Sequence, residues 1–152
     1  MPRAPRIWQT ESPYSITTRI NNREFHLDDR KVDEIFRGIF HKLAERRELD
    51  PETGEIRRKY DFKIHHFLVM GNHYHLIIST PSETTRIDRI MQLINSLAAR
   101  AINKYLGRSG HLWGERYKMR VLRSVDYLKK SIVYLYQNPV RAKMVAAVFD
   151  YD

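Results

Sequence analysis

The order of helix-like and strand-like segments is the feature of this sequence that most limits its fold. Two long segments place apolar residues at the i, i+3, i+4, i+7 spacing of an amphipathic helix. Four shorter segments, rich in β-branched and aromatic residues, surround them and are typical of strands. The predicted order is strand, helix, strand, strand, helix, strand, followed by a third helix. This order predicts an α+β domain of the ferredoxin-like βαββαβ type, a four-stranded antiparallel sheet with two helices on one face.

The boundaries of these segments follow from caps, turns and breakers. Asp28 or Asp29 can cap a helix that begins near Arg30, and Gly107 supplies a stop for the second long helix. The predicted strands are Tyr14–Ile20, Lys59–Met70, His73–Thr80 and Tyr117–Leu122, the third of them inside the sheet. The later helices are predicted over Thr84–Leu106 and from Ser124 to about Gln137, where Asn138-Pro139 ends the last one; Asp50–Gly54 is an exposed charged loop.

The length of 152 residues is usual for one domain, and no repeat or long linker interrupts it. We expect a single domain over residues 1–152, with the ferredoxin-like core at 13–123, the last helix at 124–138 and a tail at 139–152. The absence of cysteine excludes disulfides, thiolate zinc sites, iron–sulfur clusters and cysteine nucleophiles. The apolar stretches are too short to span a bilayer and no secretory signal is visible, so we expect a cytoplasmic protein without a membrane partner.

Positive charge is concentrated in the second half of the chain, and the formal net charge of the whole is +9. Residues 1–83 hold 14 basic and 13 acidic side chains, whereas residues 84–152 hold 13 basic and 5 acidic ones, a net charge of +8. Such an asymmetry indicates a surface that meets a polyanion such as nucleic acid. A solvated basic surface that only aids solubility is the simpler alternative.

The pair of His73 and His75 is the feature of the sequence that most directly indicates a functional site. Residues i and i+2 of a strand face the same way, so both imidazoles project from one face, about 7 Å apart along the backbone. Two histidines placed in this way can share a divalent metal. Tyr74 then points to the opposite face, where it can pack under a helix. Ordinary strand histidines are the alternative, because a bare His-x-His pattern arises often by chance.

A two-histidine site needs further ligands, and the last helix offers a candidate. Tyr134 and Asn138 are spaced i, i+4 and therefore lie on one helical face near the C-terminal end. The amide oxygen of Asn138 could complete the protein ligands, and the Tyr134 phenol would then stand near the metal as a candidate nucleophile. From spacing alone, a core position for Tyr134 is the simpler interpretation.

Three sequence motifs, in a fixed order, extend this pattern: residues 70–78 (MGNHYHLII), 110–117 (GHLWGERY) and 134–142 (YLYQNPVRA). Together they closely resemble the HUH single-strand DNA transposases with one catalytic tyrosine, and most of all the REP-associated tyrosine transposases. The resemblance runs from about Pro13 to Val145. Its departures are modest: Gly71 stands where the family often has proline, and Lys143 stands where glycine is common in relatives.

The resemblance implies a ferredoxin-like fold and an enzyme that nicks single-stranded DNA and transfers the strand. Carried over by position, it makes His73, His75 and Asn138 the ligands of magnesium or manganese. It makes Tyr134 the nucleophile that attacks a DNA phosphodiester, which leaves a 5′-phosphotyrosine and a free 3′-hydroxyl.

Two other tyrosines of the last helix, Tyr136 and Tyr127, are rival nucleophiles. Their i+4 positions hold Val140 and Ser131, so Tyr134 is the preferred candidate. A free phenol has a pKa of about 10 and needs help to attack at neutral pH. A bound metal can give that help by polarising the phosphate and holding the scissile bond in line.

The expected partner is single-stranded DNA that carries a hairpin or REP-like repeat, bound by the basic second half of the chain. Trp113 could stack on an unpaired base, and a core or loop-anchoring tryptophan is an equal alternative. The oligomeric state stays open between monomer and homodimer. The candidate DNA-binding residues are Arg86, Arg89, Arg100, Lys104, Arg108, Trp113, Arg116, Lys118, Arg120, Arg123 and Arg141.

Two other functions fit parts of the sequence. The first is a catalytically silent nucleic-acid-binding module on the same fold, which would need no nucleophile. The second is an RNA-binding protein that uses its sheet as a stacking platform. That function calls for exposed aromatic residues on the central strands, where this chain has histidines.

Overall fold

The computed structural model describes residue 9 and residues 12–24 and 26–141 of the chain. Within these residues, no helix is both long enough and apolar enough to cross a membrane. The elements in chain order are β1 (Tyr14–Arg19), a 3-10 turn (Asn21–Arg23), α1 (Arg30–Ala44), β2 (Arg47–Leu49), β3 (Ile56–Arg58), β4 (Lys63–Met70), β5 (His73–Ser79), α2 (Ile87–Leu106), β6 (Lys118–Val121) and α3 (Val125–Arg141).

Four strands form one antiparallel sheet in the order β4-β5-β1-β6. Strand β5, which carries His73 and His75, therefore lies inside the sheet, as predicted. Strands β2 and β3 pair separately as a small ribbon. Without that ribbon and α3, the order of the elements is βαββαβ, and the predicted ferredoxin-like sandwich is confirmed.

Helices α1 and α2 pack together on one face of the sheet, called the core face. The carboxylate of Asp29 caps α1 by accepting a hydrogen bond from the Lys31 backbone N–H at 2.8 Å. Tyr74 is fully buried on this face, with its ring 4.7 Å from that of Phe36 on α1. Its hydroxyl donates to Oδ1 of Asn95 on α2 at 2.6 Å. The prediction that Tyr74 packs under a helix is therefore confirmed.

Helix α3 lies on the other face of the sheet, which carries His73, His75 and Ile77 and is called the histidine face. Leu135 of α3 packs there with Ile77 and Leu122 in a second apolar cluster, separate from the main core. The sheet thus stands between two helices that complete the core and one helix that covers the histidines.

The segment before Met70 differs from the prediction. Strand β4 begins at Lys63 rather than Lys59, because the backbone of Lys59 pairs at the base of the ribbon, where its N–H donates to the Arg46 carbonyl at 2.8 Å. The ribbon itself was not predicted. Its strands are three residues long and mostly charged, so they lack the apolar alternation that indicates a strand.

Two helix boundaries also differ. Helix α2 begins at Ile87 rather than Thr84, because Thr85 is held in the preceding turn, where its hydroxyl accepts from the Asp61 N–H at 2.7 Å. Helix α3 does not end at Asn138-Pro139 but continues to Arg141, with Pro139 inside its last turns. The proline lacks one backbone donor, and this loss is tolerated so near the helix end.

The loop of the second motif closes the end of β1. The Asn21 N–H donates to the Leu112 carbonyl at 2.8 Å, and the Gly114 N–H donates to the Arg19 carbonyl at 3.1 Å. A Cβ atom at Gly114 would lie 2.9 Å from the Asn21 Cα, which is closer than such atoms approach. Glycine is therefore required at position 114 for the loop to dock.

Candidate active site

The two histidines of β5 lie side by side on the histidine face, with ring centroids 4.9 Å apart. Each is placed by the pairing of β5 with β1: Thr17 lies directly opposite His75, and Arg19 lies opposite His73. Residues directly opposite each other in an antiparallel pair share a face, so Thr17 and Arg19 border the pair.

Both imidazoles are held through Nδ1. His73 Nδ1 lies 2.7 Å from Asn72 Oδ1, which can only accept a hydrogen bond. His75 Nδ1 lies 3.0 Å from Thr17 Oγ1. A neutral histidine that donates from Nδ1 keeps the lone pair of Nε2, the atom that binds a metal. The two hydrogen bonds therefore hold both rings in orientation, and the one to Asn72 also requires the His73 tautomer that leaves Nε2 free for a metal.

Burial keeps both rings neutral. Desolvation, together with a smaller contribution from the nearby Arg19 guanidinium, lowers the pKa of His73 to about 4. Desolvation likewise lowers the pKa of His75 to about 3, with smaller contributions from His73 and Arg19. At neutral pH both side chains are therefore uncharged, which is the state that ligates a cation.

Asn138 of α3 meets the histidine pair. Its Nδ2 lies 3.3 Å from His75 Nε2, and its side chain is largely buried. Turning this amide by half a turn would place Oδ1 toward the same position, since the two ends of the group are interchangeable in shape. No group of three or more His, Cys, Asp or Glu side chains gathers anywhere in the described residues. A metal here would be held by two imidazoles and one amide oxygen, a mixed donor set that can accept manganese or magnesium and does not exclude zinc.

The tyrosines of α3 point to different sides of that helix. At about 100° per residue, Tyr134 lies about 40° from Asn138 around the axis, whereas Tyr136 lies about 160° away. Tyr134 is 49% exposed, and the Arg141 guanidinium carbon lies 5.1 Å from the centre of its ring. Tyr136 instead contacts the ring of His66 on β4, at 4.7 Å between centroids. Tyr127 also lies on the Asn138 side but about three turns earlier, so Tyr134 is the tyrosine that is both on this side and within about one turn of Asn138.

The fold places the candidate DNA-binding cations at three locations. Lys118 and Arg120 lie on the histidine face, because they pair with Thr17 and Ser15 of β1. Helix α2 packs on the core face, so its cations lie across the sheet from the histidines, and Arg108 after it is tied to Glu24 at 3.1 Å. Arg116, Arg123 and Arg141 are exposed near β6 and α3. The α2 cations are Arg86, Arg89, Arg100 and Lys104.

Trp113 is partly buried and packs against the main core, which favours the core or loop-anchoring alternative over stacking on a base. Its ring packs 5.5 Å from that of Tyr74 and 6.3 Å from that of Phe36. Its Nε1–H donates to the Asn95 carbonyl at 2.8 Å. The indole therefore contacts α1, α2 and the sheet and helps to hold them together.

Two residues of β1, Thr17 and Arg19, belong to the site and were not predicted. Thr17 holds His75, and the charge of Arg19 acts on both histidines. Their only signal in the sequence is their i, i+2 spacing on a strand. Knowing that they face the histidines requires the register between β1 and β5, which the sequence does not reveal.

A family model described as "Transposase IS200 like" matches residues 48–138. Because this match covers more than half of the chain, the protein belongs to the IS200-like transposase family.

Solved structures show the same fold. A REP-associated tyrosine transposase bound to a REP hairpin aligns with 99% of this chain and 80% of its own, at 19% identity and a TM-score of 0.75. A protein of Deinococcus radiodurans R1 assigned as a transposase aligns with 91% of this chain and 95% of its own, at 15% identity and a TM-score of 0.54. The comparison with curated protein sequences gave no match.

Proposed function

We propose that this transposase is a metal-dependent single-stranded DNA endonuclease and strand transferase with Tyr134 as its nucleophile. The observation that carries the proposal is the 3.3 Å approach of Asn138 on α3 to His75 Nε2 on β5. This approach brings the tyrosine helix onto the histidine pair. Tyr134, one helical turn before Asn138 and on the same side of α3, is the exposed tyrosine best placed to act beside the histidine pair.

The proposed reaction exchanges one phosphoester bond for another. The Tyr134 oxygen attacks the phosphorus of a phosphodiester, the bond from phosphorus to the 3′ oxygen breaks, and the phenol proton ends on the released 3′-hydroxyl. The 5′-phosphate remains esterified to the tyrosine. A 3′-hydroxyl can reverse the step and rejoin strands without ATP, because one phosphoester replaces another.

Different residues of the chain bind the metal and stabilise charge in this step. His73 and His75 offer Nε2, and Asn138 offers its amide oxygen, to a manganese or magnesium ion. When bound, such an ion polarises a phosphate oxygen and offsets the charge that develops in the transition state. Arg141 stacks on the Tyr134 ring and places a positive charge beside the attacking group.

The proposed substrate is single-stranded DNA next to a hairpin. Two observations support it: the net charge of +8 beyond residue 83, and the fold shared with a REP-associated transposase bound to a REP hairpin. The lysine and arginine of β6 on the histidine face, Lys118 and Arg120, are the cations placed to guide the strand toward the histidines.

The removal of one oxygen tests the nucleophile. Tyr134→Phe keeps the ring, so folding and DNA binding should survive while covalent chemistry disappears. Wild-type protein, manganese and hairpin-bearing DNA labelled 3′ of the cut should give an adduct that resists denaturant, because the tyrosine keeps the 5′-phosphate of that fragment.

The matched controls are Tyr136→Phe and Tyr127→Phe, which should still form the adduct. An adduct that persists in Tyr134→Phe but is lost in Tyr136→Phe would identify the other tyrosine as the nucleophile. No adduct from the wild type with any hairpin substrate would favour the catalytically silent binding module instead.

Removal of metal tests the ligands. Nicking should stop with a chelator and return when manganese or magnesium is added. His73→Ala combined with His75→Ala should abolish both nicking and manganese binding measured by calorimetry. Unchanged nicking by this double variant would remove the metal hypothesis.

A further inference from the structure

The ribbon of β2 and β3 has two faces of different chemistry. Its strands pair Arg47 with Arg58, Glu48 with Arg57, and Leu49 with Ile56. Because side chains alternate along a strand, the first and third pairs share one face, called the arginine face, and the middle pair lies on the other.

The arginine face is exposed and carries no acidic side chain. Leu49 is 66% exposed and Ile56 is 76% exposed, which is unusual for two apolar residues paired across strands. Arg58 has no acidic partner among the described residues, and Arg47 donates only to the Ala44 carbonyl at 3.1 Å. Two like charges directly opposite each other destabilise a ribbon, and no acidic side chain in the described part of the chain offsets them on this face.

The opposite face is already neutralised. Arg57 forms ion pairs with Glu48 at 3.3 Å and with Asp50 at 2.7 Å, and Lys59 lies 3.8 Å from Glu48. The acidic residues of the ribbon therefore serve one face only. The contrast shows that the unpaired arginines are not explained by a general excess of positive charge.

Hydrogen bonds within its turn hold the two strands of the ribbon together. Asp50 Oδ1 accepts from the backbone N–H groups of Glu52 and Thr53 at 2.8 and 3.1 Å, which fixes the turn. Gly54, with φ of 71°, adopts the left-handed conformation that this turn needs and donates its N–H to the Asp50 carbonyl at 2.9 Å. A preformed surface binds without the cost of ordering a loop.

We propose that the arginine face of this ribbon docks on the double-helical stem of a DNA hairpin, with Leu49 and Ile56 near the turn entering a groove and Arg47 and Arg58, at the base of the ribbon, on the phosphates that border it. The proposal rests on the proposed function, whose substrate contains a hairpin. A two-stranded ribbon fits the major groove, where apolar side chains contact thymine methyl groups. The stem would supply the negative charge that the arginine face lacks.

The charge pattern favours DNA over a second copy of this chain. Two identical arginine faces packed together would bring four guanidinium groups into contact without an acid to pair them. A phosphate backbone bordering a groove instead offers negative charge to the two neighbouring arginines and a groove to the apolar pair next to them on the ribbon.

The test compares affinities for two DNAs in chelator, so that no chemistry is required. One DNA carries a hairpin, and the other has the same single-stranded flank and an unstructured replacement of equal length. Arg47→Gln with Arg58→Gln should weaken hairpin binding roughly tenfold or more at about 0.1 M salt and lower the salt slope by about 1.8, near 0.9 for each duplex phosphate released. Binding of the unstructured DNA should change less than twofold.

The matched control removes two charges from the opposite face of the same ribbon, as Arg57→Gln with Lys59→Gln. This variant should keep the preference for the hairpin, whereas Leu49→Thr with Ile56→Thr should reduce it. Thermal melting checks that each variant is folded. The proposal would be overturned if the arginine variant lost affinity equally for both DNAs, or if the wild type showed no preference for the hairpin. It would also be overturned if light scattering showed a dimer that Leu49→Thr with Ile56→Thr dissociates. Because binding is measured without metal, failed nicking and failed stem docking are separate results.

Discussion

At the scale of single residues, the histidine pair is prepared by its neighbours. Asn72 and Thr17 hold the two Nδ1 atoms, and burial keeps both rings neutral, so the free energy of orienting the ligands is already provided by folding. The neighbours of a ligand therefore contribute to metal affinity without touching the metal.

Thr17→Val tests this contribution, because valine keeps the shape of threonine and removes only the hydroxyl that holds His75. We expect a loss of manganese affinity of about 10- to 100-fold with little change in thermal stability. Calorimetric titration with manganese measures it directly. Ser15→Ala, on the same face of the same strand, should leave the affinity unchanged, and an unchanged affinity in Thr17→Val would mean that the hydroxyl does not orient the ring.

Arg19→Gln should have opposite effects on metal binding and on cleavage. Removing this cation relieves its repulsion of a divalent ion, so manganese affinity should rise a few-fold at low salt. The same change removes a positive charge beside the histidine pair, where the proposed function places the scissile phosphate, and nicking at saturating manganese should slow by roughly tenfold or more. Arg19→Lys, which keeps the charge, should restore the wild-type metal affinity. A variant in which both quantities fall would contradict this division of roles.

Residue identities could be predicted where the chemistry is local to one element. His73 with His75, and Tyr134 with Asn138, share a face within a strand or a helix, so spacing alone places them together. Thr17 and Arg19 join the site only through the register of β1 against β5, and Trp113 joins the core through contacts with two helices. Spacing in one element carries no information about such cross-element neighbours.

At the scale of elements, α3 is joined to the sheet by few apolar side chains. Its anchor is Leu135, packed against Ile77 and Leu122, with Leu128 and Ile132 beside them. Helices α1 and α2 share a much larger core. The tyrosine helix should therefore be the least stably attached of the three helices.

Leu135→Ala should loosen α3 without unfolding the core. A buried leucine truncated to alanine costs about 2–5 kcal/mol, and here that cost falls on the docking of one helix. Hydrogen exchange should show lost protection in α3 and retained protection in β1 and β5. Val133→Ala, at an exposed position of the same helix, serves as the control. Uniform loss of protection throughout the sheet would show that α3 is part of the global folding unit.

Element boundaries could be predicted less well than element types. The proline at 139 suggested a helix end, but a missing donor costs little in a final turn, and α3 continues to Arg141. The ribbon escaped prediction because its strands are short and charged, and its stability comes from the turn at Asp50 rather than from an apolar face.

At the scale of the whole molecule, the excess of positive charge divides between the two sides of the sheet. Lys118 and Arg120 share the histidine face, whereas Arg89 and Arg100 of α2 lie across the sheet. The charge count predicted a polyanion partner, but only the fold separates cations that can reach a strand at the histidines from cations that cannot.

The salt dependence of DNA binding should follow this division. The logarithm of affinity for single-stranded DNA should fall with the logarithm of salt by about 0.7 for each phosphate neutralised. Lys118→Gln with Arg120→Gln should lower that slope by about 1.4, while Arg89→Gln with Arg100→Gln, an equal loss of charge, should leave it nearly unchanged. Fluorescence anisotropy at several salt concentrations measures both, and equal slopes for the two double variants would show that the strand does not follow the histidine face.

The sheet with one face for the core and one for the site also shapes how this chain can evolve. A substitution on the core face is selected through abundance, because it changes how much folded protein a cell holds. A substitution on the histidine face is selected through the DNA that is processed, because the main core does not depend on it. The two faces can therefore accumulate changes almost independently. A scan of all single substitutions can be scored separately for protein abundance and for nicking. In β5, substitutions at the odd-numbered positions from 73 to 77 should affect nicking more than substitutions at the even-numbered positions do.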